Sequence, residues 1–141
     1  SHMAKLTEKD IIAWDGPEED YMNAQHLEFF RNLLTKQQDE IINKAGATTD
    51  RMQHDTASAA DPADRASQEE EYALELRARD RERKLLAKIQ AALREIDEGE
   101  YGYCLDTGEP IGLKRLLARP TATLSVEAQE RRERLKKQFA D

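Results

Sequence analysis

Two aspartates stand at the break between two long periodic segments, in the run Asp61-Pro62-Ala63-Asp64. Proline disfavours helical geometry in the residue before it and is favoured in a first helical turn, so one helix should end near Ala60 and the next should begin at Pro62. Asp61 would be the N-cap of the second helix, and Asp64 would occupy the capping-box position. The same carboxylates, at the end of a long thin element, could instead reach a metal ion or a basic loop in a deep cavity. Taken alone, the residues favour capping.

A charged stretch, residues 77–84, is the second feature, because every residue in it except Ala78 carries a charge. Such a run is typical of a solvated helix face. Alternate residues cannot all point one way on a helix, however, so some must face a partner helix or a ligand. A docking surface therefore remains open. The cations are Arg77, Arg79, Arg81, Arg83 and Lys84.

The single cysteine, Cys104, raises the question of a metal site. Structural zinc needs four Cys or His ligands, and His26 and His54 lie far away on the first predicted helix. A lone cysteine is more often an inert small hydrophobe. The sequence also lacks a nucleophile–base constellation, a phosphate loop and a Cys-x-x-Cys pair, so it gives no support for an enzyme.

Two helices must position these residues. Residues 24–60 form a heptad-like seam, weakened by Arg31 and Gln38 at core-type positions and by Gly46. The second helix should run from Pro62 to Glu98, where Gly99 stops it. A short connection makes the helices antiparallel, and arms of about 35 residues would be roughly 50 Å long. The apolar marks are Leu27, Leu34, Ile41 and Thr48, flanked by Phe30, Ile42, Ala45 and Met52, and then Tyr72, Leu76, Leu86, Ile89, Leu93 and Ile96.

The flanking segments are shorter. Residues 4–22 predict a short helix at most and an extended lead-in, with Asn23 as the N-cap of the first long helix. Turn signals in residues 101–110 predict a small hairpin or knuckle. A short helix should follow at 113–118, ended by Arg119-Pro120, and a last helix at 126–139 has Leu135 and Phe139 on its apolar side. The expected fold is mostly α, divided into residues 3–22, a hairpin at 23–99 with its tip near 61–66, and a module at 100–141.

Composition limits the possible functions. The formal net charge of −7 argues against nucleic-acid binding through bulk electrostatics. Charged residues make up 36% of the chain and aromatics 6%, which suits long helices with two wet faces. Ser1-His2 resembles a cloning scar, which would make Met3 the native start. No apolar run could cross a bilayer and no signal peptide opens the chain, so we expect a cytoplasmic protein.

Three stretches together resemble the DksA/TraR family of transcription regulators. They are residues 19–23 (Glu-Asp-Tyr-Met-Asn), residues 61–84 with the Asp61-to-Asp64 run and the charged stretch, and residues 102–122 with Gly102-Tyr103-Cys104 and Arg119-Pro120-Thr121-Ala122. The resemblance runs from about Tyr21 to the C-terminus. Each stretch alone is moderately specific, and their order makes the resemblance highly specific.

The resemblance implies a non-enzymatic, monomeric regulator that binds RNA polymerase. Its coiled coil would enter the secondary channel, with Asp61, Asp64 and Ala66 near the active centre. Arg77 and Arg81 would contact the polymerase. The alarmone guanosine tetraphosphate would strengthen the effect on promoter complexes.

The alarmone contacts implied by the family fall on Leu85, Lys88 and Arg119, while a further family lysine falls on Gln129. The chain also departs from the family's four zinc cysteines. Cys104 keeps the first ligand position, whereas Thr107, Ser125 and Ala128 replace the others. This pattern is similar to a zinc-free branch, which would contain no zinc. Its knuckle would be held by packing of Tyr101, Tyr103, Ile111, Leu113, Leu116 and Leu124.

Three other functions compete with this one. A Gre-like transcript-cleavage factor uses the same channel and also carries acids at its tip. A plain coiled-coil adaptor would use the aspartates only as caps. A nucleic-acid-binding zinc knuckle is disfavoured by the acidic charge and the missing ligands.

Overall fold

The computed structural model describes the backbone of residues 5–58 and 61–140, and the side chains of residues 5–46 and 61–139. Within these residues there is no β-strand, and the one β-type pairing is an antiparallel bridge between Tyr103 and Pro110. The predicted mostly α class is therefore confirmed. The elements are α1 (Glu8–Ala13), a 3-10 turn (Glu18–Asp20), α2 (Ala24–Ser58), α3 (Pro62–Glu98), α4 (Leu113–Ala118) and α5 (Val126–Ala140).

Side-chain caps set the starts of the long helices. The Asn23 side chain accepts a hydrogen bond from the His26 N–H at 3.0 Å, which caps α2. Asp61 accepts one from the Ala63 N–H at 3.0 Å, which caps α3 as the sequence predicts. The predicted end of the first helix at Ala60 lies outside the described residues.

Helices α2 and α3 run antiparallel along a thin seam. Arg31 of α2 pairs with Asp97 of α3 at 2.7 Å, and Ile42 lines the same cleft as Leu86. The buried seam residues are Phe30, Leu34, Tyr72, Ile89, Ala92 and Ile96. Ile42 and Leu76 were predicted to belong to the seam, but they are 51% and 50% exposed because the seam opens between them. The Thr48, Met52 and His54 side chains lie outside the described residues.

The chain divides into two compact units. One comprises residues 1–34 and 91–141, and the other comprises residues 35–90. Both long helices therefore contribute to both units. The three-part division at residues 22 and 99 stays a prediction.

The first unit has the main aromatic core. The rings of Phe30 and Tyr101 lie 5.7 Å apart, and the Tyr101 hydroxyl donates to the Pro120 carbonyl at 2.7 Å. Helix α1 packs on α4, burying Ile11.

Helix α5 differs from the prediction. It buries Ala128 near its start, while Leu135 and Phe139 are exposed, the latter by 86%. The apolar side predicted for α5 therefore packs against no other element in the part of the chain that the structure describes. Every residue of α5 from 130 to 139 is exposed. No helix in the described ranges is long and apolar enough to cross a membrane.

Candidate functional site

Every residue of the tip, residues 61–66, is exposed at the start of α3. The Asp61 carboxylate accepts the capping hydrogen bond from the Ala63 N–H. No hydrogen bond or ion pair engages the Asp64 carboxylate among the side chains that the structure describes. Ala66 lies about half a turn further along and presents a methyl group. Asp64 therefore offers an unpaired negative charge, which the positive end of the helix dipole helps to stabilise.

The charged stretch sorts into paired and unpaired cations. Arg79 binds Glu82 at 2.5 Å, and Arg83 binds Asp80 at 2.5 Å. Lys84 also approaches Asp80 at 3.5 Å. The hydrogen bond from Arg83, together with the charge of Lys84, lowers the pKa of Asp80.

Arg77 and Arg81 have no ion pair within residues 5–46 and 61–139. They lie four residues apart and therefore share one exposed face of α3. Within the charged stretch, the two residues that the resemblance assigns to polymerase contact are thus the two cations without an ion pair among the described side chains.

The residues assigned to the alarmone lie in different units. Leu85 and Lys88 are exposed neighbours on α3 in the unit of residues 35–90. Arg119 follows α4 in the other unit, exposed, with its backbone N–H bound to the Arg115 carbonyl at 2.8 Å. Gln129 donates to Glu133 at 3.1 Å. Neither unit by itself contains the whole predicted set.

The knuckle, residues 101–112, is built by backbone hydrogen bonds across a tight turn. Cys104 N–H donates to the Glu109 carbonyl at 2.8 Å, and Gly108 N–H donates back to the Cys104 carbonyl at 2.8 Å. Leu105 N–H binds the Thr123 carbonyl at 2.9 Å, which ties the knuckle to the segment before α5.

Five of the six residues predicted to hold the knuckle by packing are buried. They are Tyr101, Ile111, Leu113, Leu116 and Leu124. Tyr103 is 40% exposed, so its predicted packing role is reduced to a T-shaped contact with the Tyr21 ring at 5.6 Å.

The Cys104 side chain is surrounded by donors. Its sulfur lies 3.7 Å from the Ser125 hydroxyl oxygen. Ser125 Oγ accepts from the Ala128 N–H and Thr107 Oγ1 accepts from the Glu109 N–H, so both hydroxyl protons remain free to point at the sulfur. Burial raises the pKa of the thiol, but hydrogen bonds from Thr107 and Ser125 outweigh it and lower the pKa to about 6. Cys104 is therefore a buried free cysteine whose pKa is lowered by two neighbouring hydroxyl residues, and its expected inertness stays a prediction.

The residues present do not fit a zinc ion. The four ligand positions hold one thiol, two hydroxyls already bound to backbone N–H groups and the buried methyl of Ala128, which has no donor atom. Zinc requires thiolate, imidazole or carboxylate ligands in a closed tetrahedron. No group of three or more candidate ligands occurs in the part of the chain that the structure describes.

Two contacts that sequence reasoning missed hold the knuckle instead. The Tyr21 hydroxyl donates to the Gly102 carbonyl at 2.8 Å and accepts from the Gly112 N–H at 3.0 Å. Burial raises the pKa of Tyr21 to about 12. A Cβ at Gly102 would lie 2.5 Å from the Met22 methyl, and the φ of +95° also favours glycine there.

The second missed contact is an ion pair between the knuckle and α5. The Asp106 carboxylate is bound by Arg132, through Nε at 2.9 Å and through the guanidinium terminus, with Arg131 at 4.0 Å. The hydrogen bond and charge of Arg132 lower the pKa of Asp106. The sequence did not predict this contact, because charges alternate along α5 and several of its cations could have paired with Asp106.

A long antiparallel helical hairpin with an acidic tip, together with a small knuckle whose residues do not fit a zinc ion, defines a coiled-coil protein with a zinc-finger-like module. The chain belongs to the DksA family. Residues 26–96 match the family model described as DnaK suppressor protein DksA, N-terminal domain, and residues 99–134 match the prokaryotic dksA/traR C4-type zinc finger.

Curated relatives and a solved structure agree with this assignment. The chain is 53% identical over 124 residues to the RNA polymerase-binding transcription factor DksA of Caulobacter vibrioides, covering 88% of this chain and 87% of that one. It is 44% identical over 126 residues to the factor of that name from Escherichia coli K12, covering 89% and 83%. The structure of transcription factor DksA2 from Pseudomonas aeruginosa matches with a TM-score of 0.80 at 43% identity, covering 93% of this chain and 99% of that one. The predicted hairpin-and-module fold is thereby confirmed.

Proposed function

We propose that this protein binds RNA polymerase and regulates transcription by inserting the tip of its coiled coil into the secondary channel. The main observation that supports this proposal is the unpaired charge along α3. Asp64 at the tip, and Arg77 and Arg81 further along, have no partner among the described side chains. Relatives named as RNA polymerase-binding transcription factors support the choice of partner.

This function would explain why the hairpin is long. Helix α3 has 37 residues, which at 1.5 Å per residue is about 55 Å, enough to reach deep into a channel. The Asp64 carboxylate would act there by electrostatics on basic groups or bound metal near the active centre. Arg77 and Arg81 would bind acidic groups of the polymerase closer to the surface.

Guanosine tetraphosphate is proposed as a co-regulator at the polymerase interface. Its two pyrophosphates are bound by cationic donors, and Lys88 and Arg119 are cations of the type required. Leu85 would contribute an apolar contact. Lys88 and Arg119 lie in different units, and each would contact the alarmone at the polymerase interface.

A pull-down with purified Caulobacter vibrioides RNA polymerase tests the proposal. We expect the chain to retain the polymerase as the Caulobacter relative does, and to stimulate no RNA cleavage in backtracked complexes. Retention by the relative but not by this chain would contradict polymerase binding. Stimulated cleavage would favour a Gre-like function.

A further inference from the structure

The Asp106 carboxylate of the knuckle holds the first arginines of α5. Arg132 binds it through Nε at 2.9 Å and through the guanidinium terminus, and the Arg131 guanidinium lies 4.0 Å away. A guanidinium that meets a carboxylate through two nitrogens makes one of the strong charge-assisted contacts in proteins. Arg132 is therefore oriented toward the knuckle, although 55% of its side chain remains exposed and can be reached by a ligand.

Arg132 is also the first cation of α5 that shares a face with Gln129. The two residues lie three positions apart on the helix, whereas Arg131, two positions away, points in another direction. Gln129 carries no charge, and its amide already donates to Glu133 at 3.1 Å. A phosphate group that approached α5 at Gln129 would therefore find its cationic donor in Arg132.

The knuckle also connects Asp106 to the segment that follows Arg119. Leu105, next to Asp106 in the chain, donates its N–H to the Thr123 carbonyl at 2.9 Å. Residues 120–125 join Arg119 to α5, and all of these residues belong to one compact unit. Asp106, Arg119 and the cations of α5 are therefore held by the same part of the fold.

We propose that Asp106 limits the response of this protein to guanosine tetraphosphate by competing with a pyrophosphate group of the alarmone for the Arg132 guanidinium. The inference rests on the alarmone part of the proposed function and adds a regulatory contact to the same site. Arg132 would contact the ligand. Asp106 would act only through Arg132, as a positioning residue.

Two effects of Asp106 oppose the binding of a phosphate to Arg132. The carboxylate occupies the Nε edge of the guanidinium, which is one of the edges that can bind a phosphate through two nitrogens. It also places a negative charge beside a phosphate that approaches the remaining edge. The hydrogen bond and charge of Arg132 lower the pKa of Asp106, so this negative charge is present at neutral pH.

The competition limits alarmone binding without preventing it. Ion pairs between exposed side chains are weak, because water and salt screen them. A pyrophosphate carries more negative charge than a single carboxylate, so it can displace Asp106 from Arg132. Asp106 therefore sets the alarmone concentration that is required for a response.

Asp106→Asn and Asp97→Asn form a matched pair of variants, because each removes the carboxylate of an exposed ion pair with arginine. Asp97 pairs with Arg31 at 2.7 Å. Binding of labelled guanosine tetraphosphate is measured on complexes with purified Caulobacter vibrioides RNA polymerase that lacks its other alarmone site, and circular dichroism checks each fold. We expect Asp106→Asn to lower the alarmone Kd about threefold, as for the loss of an exposed ion pair. Asp97→Asn should leave the Kd unchanged.

Arg132→Gln determines whether Asp106 acts through this arginine. We expect Arg132→Gln to raise the alarmone Kd, and Asp106→Asn to have no further effect when the two substitutions are combined. Asp106→Glu keeps the charge and should bind the alarmone as the wild type does. An equal gain from Asp106→Asn with and without Arg132 would show a general charge effect and overturn the proposal. If Asp106→Asn does not fold, an unchanged Kd in Arg132→Gln overturns it.

The remaining outcomes separate this inference from the proposed function. A wild-type complex that binds the alarmone with a Kd unchanged by Asp106→Asn and by Arg132→Gln overturns the inference and leaves the alarmone site in place. Polymerase complexes of the wild type and of Asp106→Asn that both fail to bind the alarmone overturn the inference together with the alarmone site. Binding by the Asp106→Asn complex alone would support the inference.

Discussion

Asp61 and Asp64 are both exposed at the start of α3, but the chain uses them differently. The Asp61 carboxylate is held by the Ala63 N–H, so its charge already serves the helix. That of Asp64 has no partner among the described side chains. Of the two, Asp64 is therefore the residue whose charge is available to a partner.

The first prediction concerns Asp64→Asn. The amide keeps the size of the side chain and removes the charge. We expect the unfolding free energy to change by less than about 0.5 kcal/mol, polymerase affinity to stay nearly intact, and regulation of a sensitive promoter in vitro to be lost. Asp61→Asn serves as the control for capping, because asparagine is also a good N-cap. Wild-type regulation by Asp64→Asn would reduce both aspartates to caps and favour the adaptor.

The second prediction concerns the Cys104 thiol. Its folded pKa of about 6 lies below the roughly 8.5 of an unfolded thiol. A depressed pKa adds stability that is complete above the unfolded value and is lost as pH falls towards 6. We expect the stability advantage of the wild type over Cys104→Ser to grow by at least about 1 kcal/mol between pH 6 and pH 8.5. Urea unfolding at several pH values measures it, and a pH-independent difference would show a neutral thiol.

At the scale of single residues, the sequence predicted helix caps better than long-range contacts. Asn23 and Asp61 cap their helices because N-cap chemistry is local and depends on a few adjacent residues. The Tyr21–Gly102 and Asp106–Arg132 contacts join residues far apart in the chain. Such pairs depend on the tertiary fold, which spacing alone does not specify.

The knuckle is an element held by hydrogen bonds and one ion pair. Backbone bonds close its turn, Tyr21 joins its two ends, and Asp106 ties it to α5. Sequence reasoning predicted the element and the lost ligands from turn residues and resemblance. It attributed the stability to packing, and missed the polar contacts.

The third prediction concerns Tyr21→Phe, which leaves the Gly112 N–H without its partner and removes one of the two hydrogen bonds that the Gly102 carbonyl accepts, the other coming from the Ile111 N–H. We expect the unfolding free energy to fall by about 2 kcal/mol, since unsatisfied buried polar groups are costly. Tyr103→Phe is the control, because Tyr103 is 40% exposed and contacts Tyr21 by its ring. Chemical denaturation compares the two variants. Equal losses would mean that the Tyr21 hydroxyl does not hold the knuckle.

The fourth prediction is that the purified protein contains no stoichiometric zinc and keeps its fold in strong chelator. Structural zinc contributes on the order of 10 kcal/mol to small modules, so a true zinc knuckle unfolds on chelation. Elemental analysis and circular dichroism with and without chelator make the measurement. One zinc per chain would contradict the fit argued from Thr107, Ser125 and Ala128.

The long helices were predictable as elements, while their packing was only partly so. Proline, asparagine and aspartate signals set the helix starts, and Gly99 ends α3 with a φ of +77°. The heptad pattern could not show that the seam opens around Ile42 and Leu76. That opening depends on the combined volume of residues facing each other across two helices.

For the whole molecule, the net charge of −7 coexists with unpaired cations on α3. A net negative charge disfavours nucleic-acid binding through bulk charge. The unpaired Arg77 and Arg81 instead give a local attraction for acidic protein surface. The composition predicted the first property, and the pairing pattern within residues 77–84 needed the structure.

The fifth prediction concerns the alarmone at the level of the assembled complex. Lys88→Ala and Arg119→Ala should each reduce the enhancement by guanosine tetraphosphate without abolishing basal regulation. Gln129, in place of a family lysine, should leave the response weakened or rearranged but present. The assay is transcription with and without alarmone, using polymerase that lacks its other alarmone site. Full enhancement in both variants would place the site elsewhere.

The lifetime of promoter complexes formed by purified RNA polymerase tests the central claim most directly. Competitor-resistant complexes at a sensitive promoter are followed with and without saturating protein. We expect a shorter lifetime with the wild-type chain and an unchanged lifetime with Asp64→Asn at equal polymerase occupancy. An unchanged lifetime with wild-type chain bound to the polymerase would contradict it.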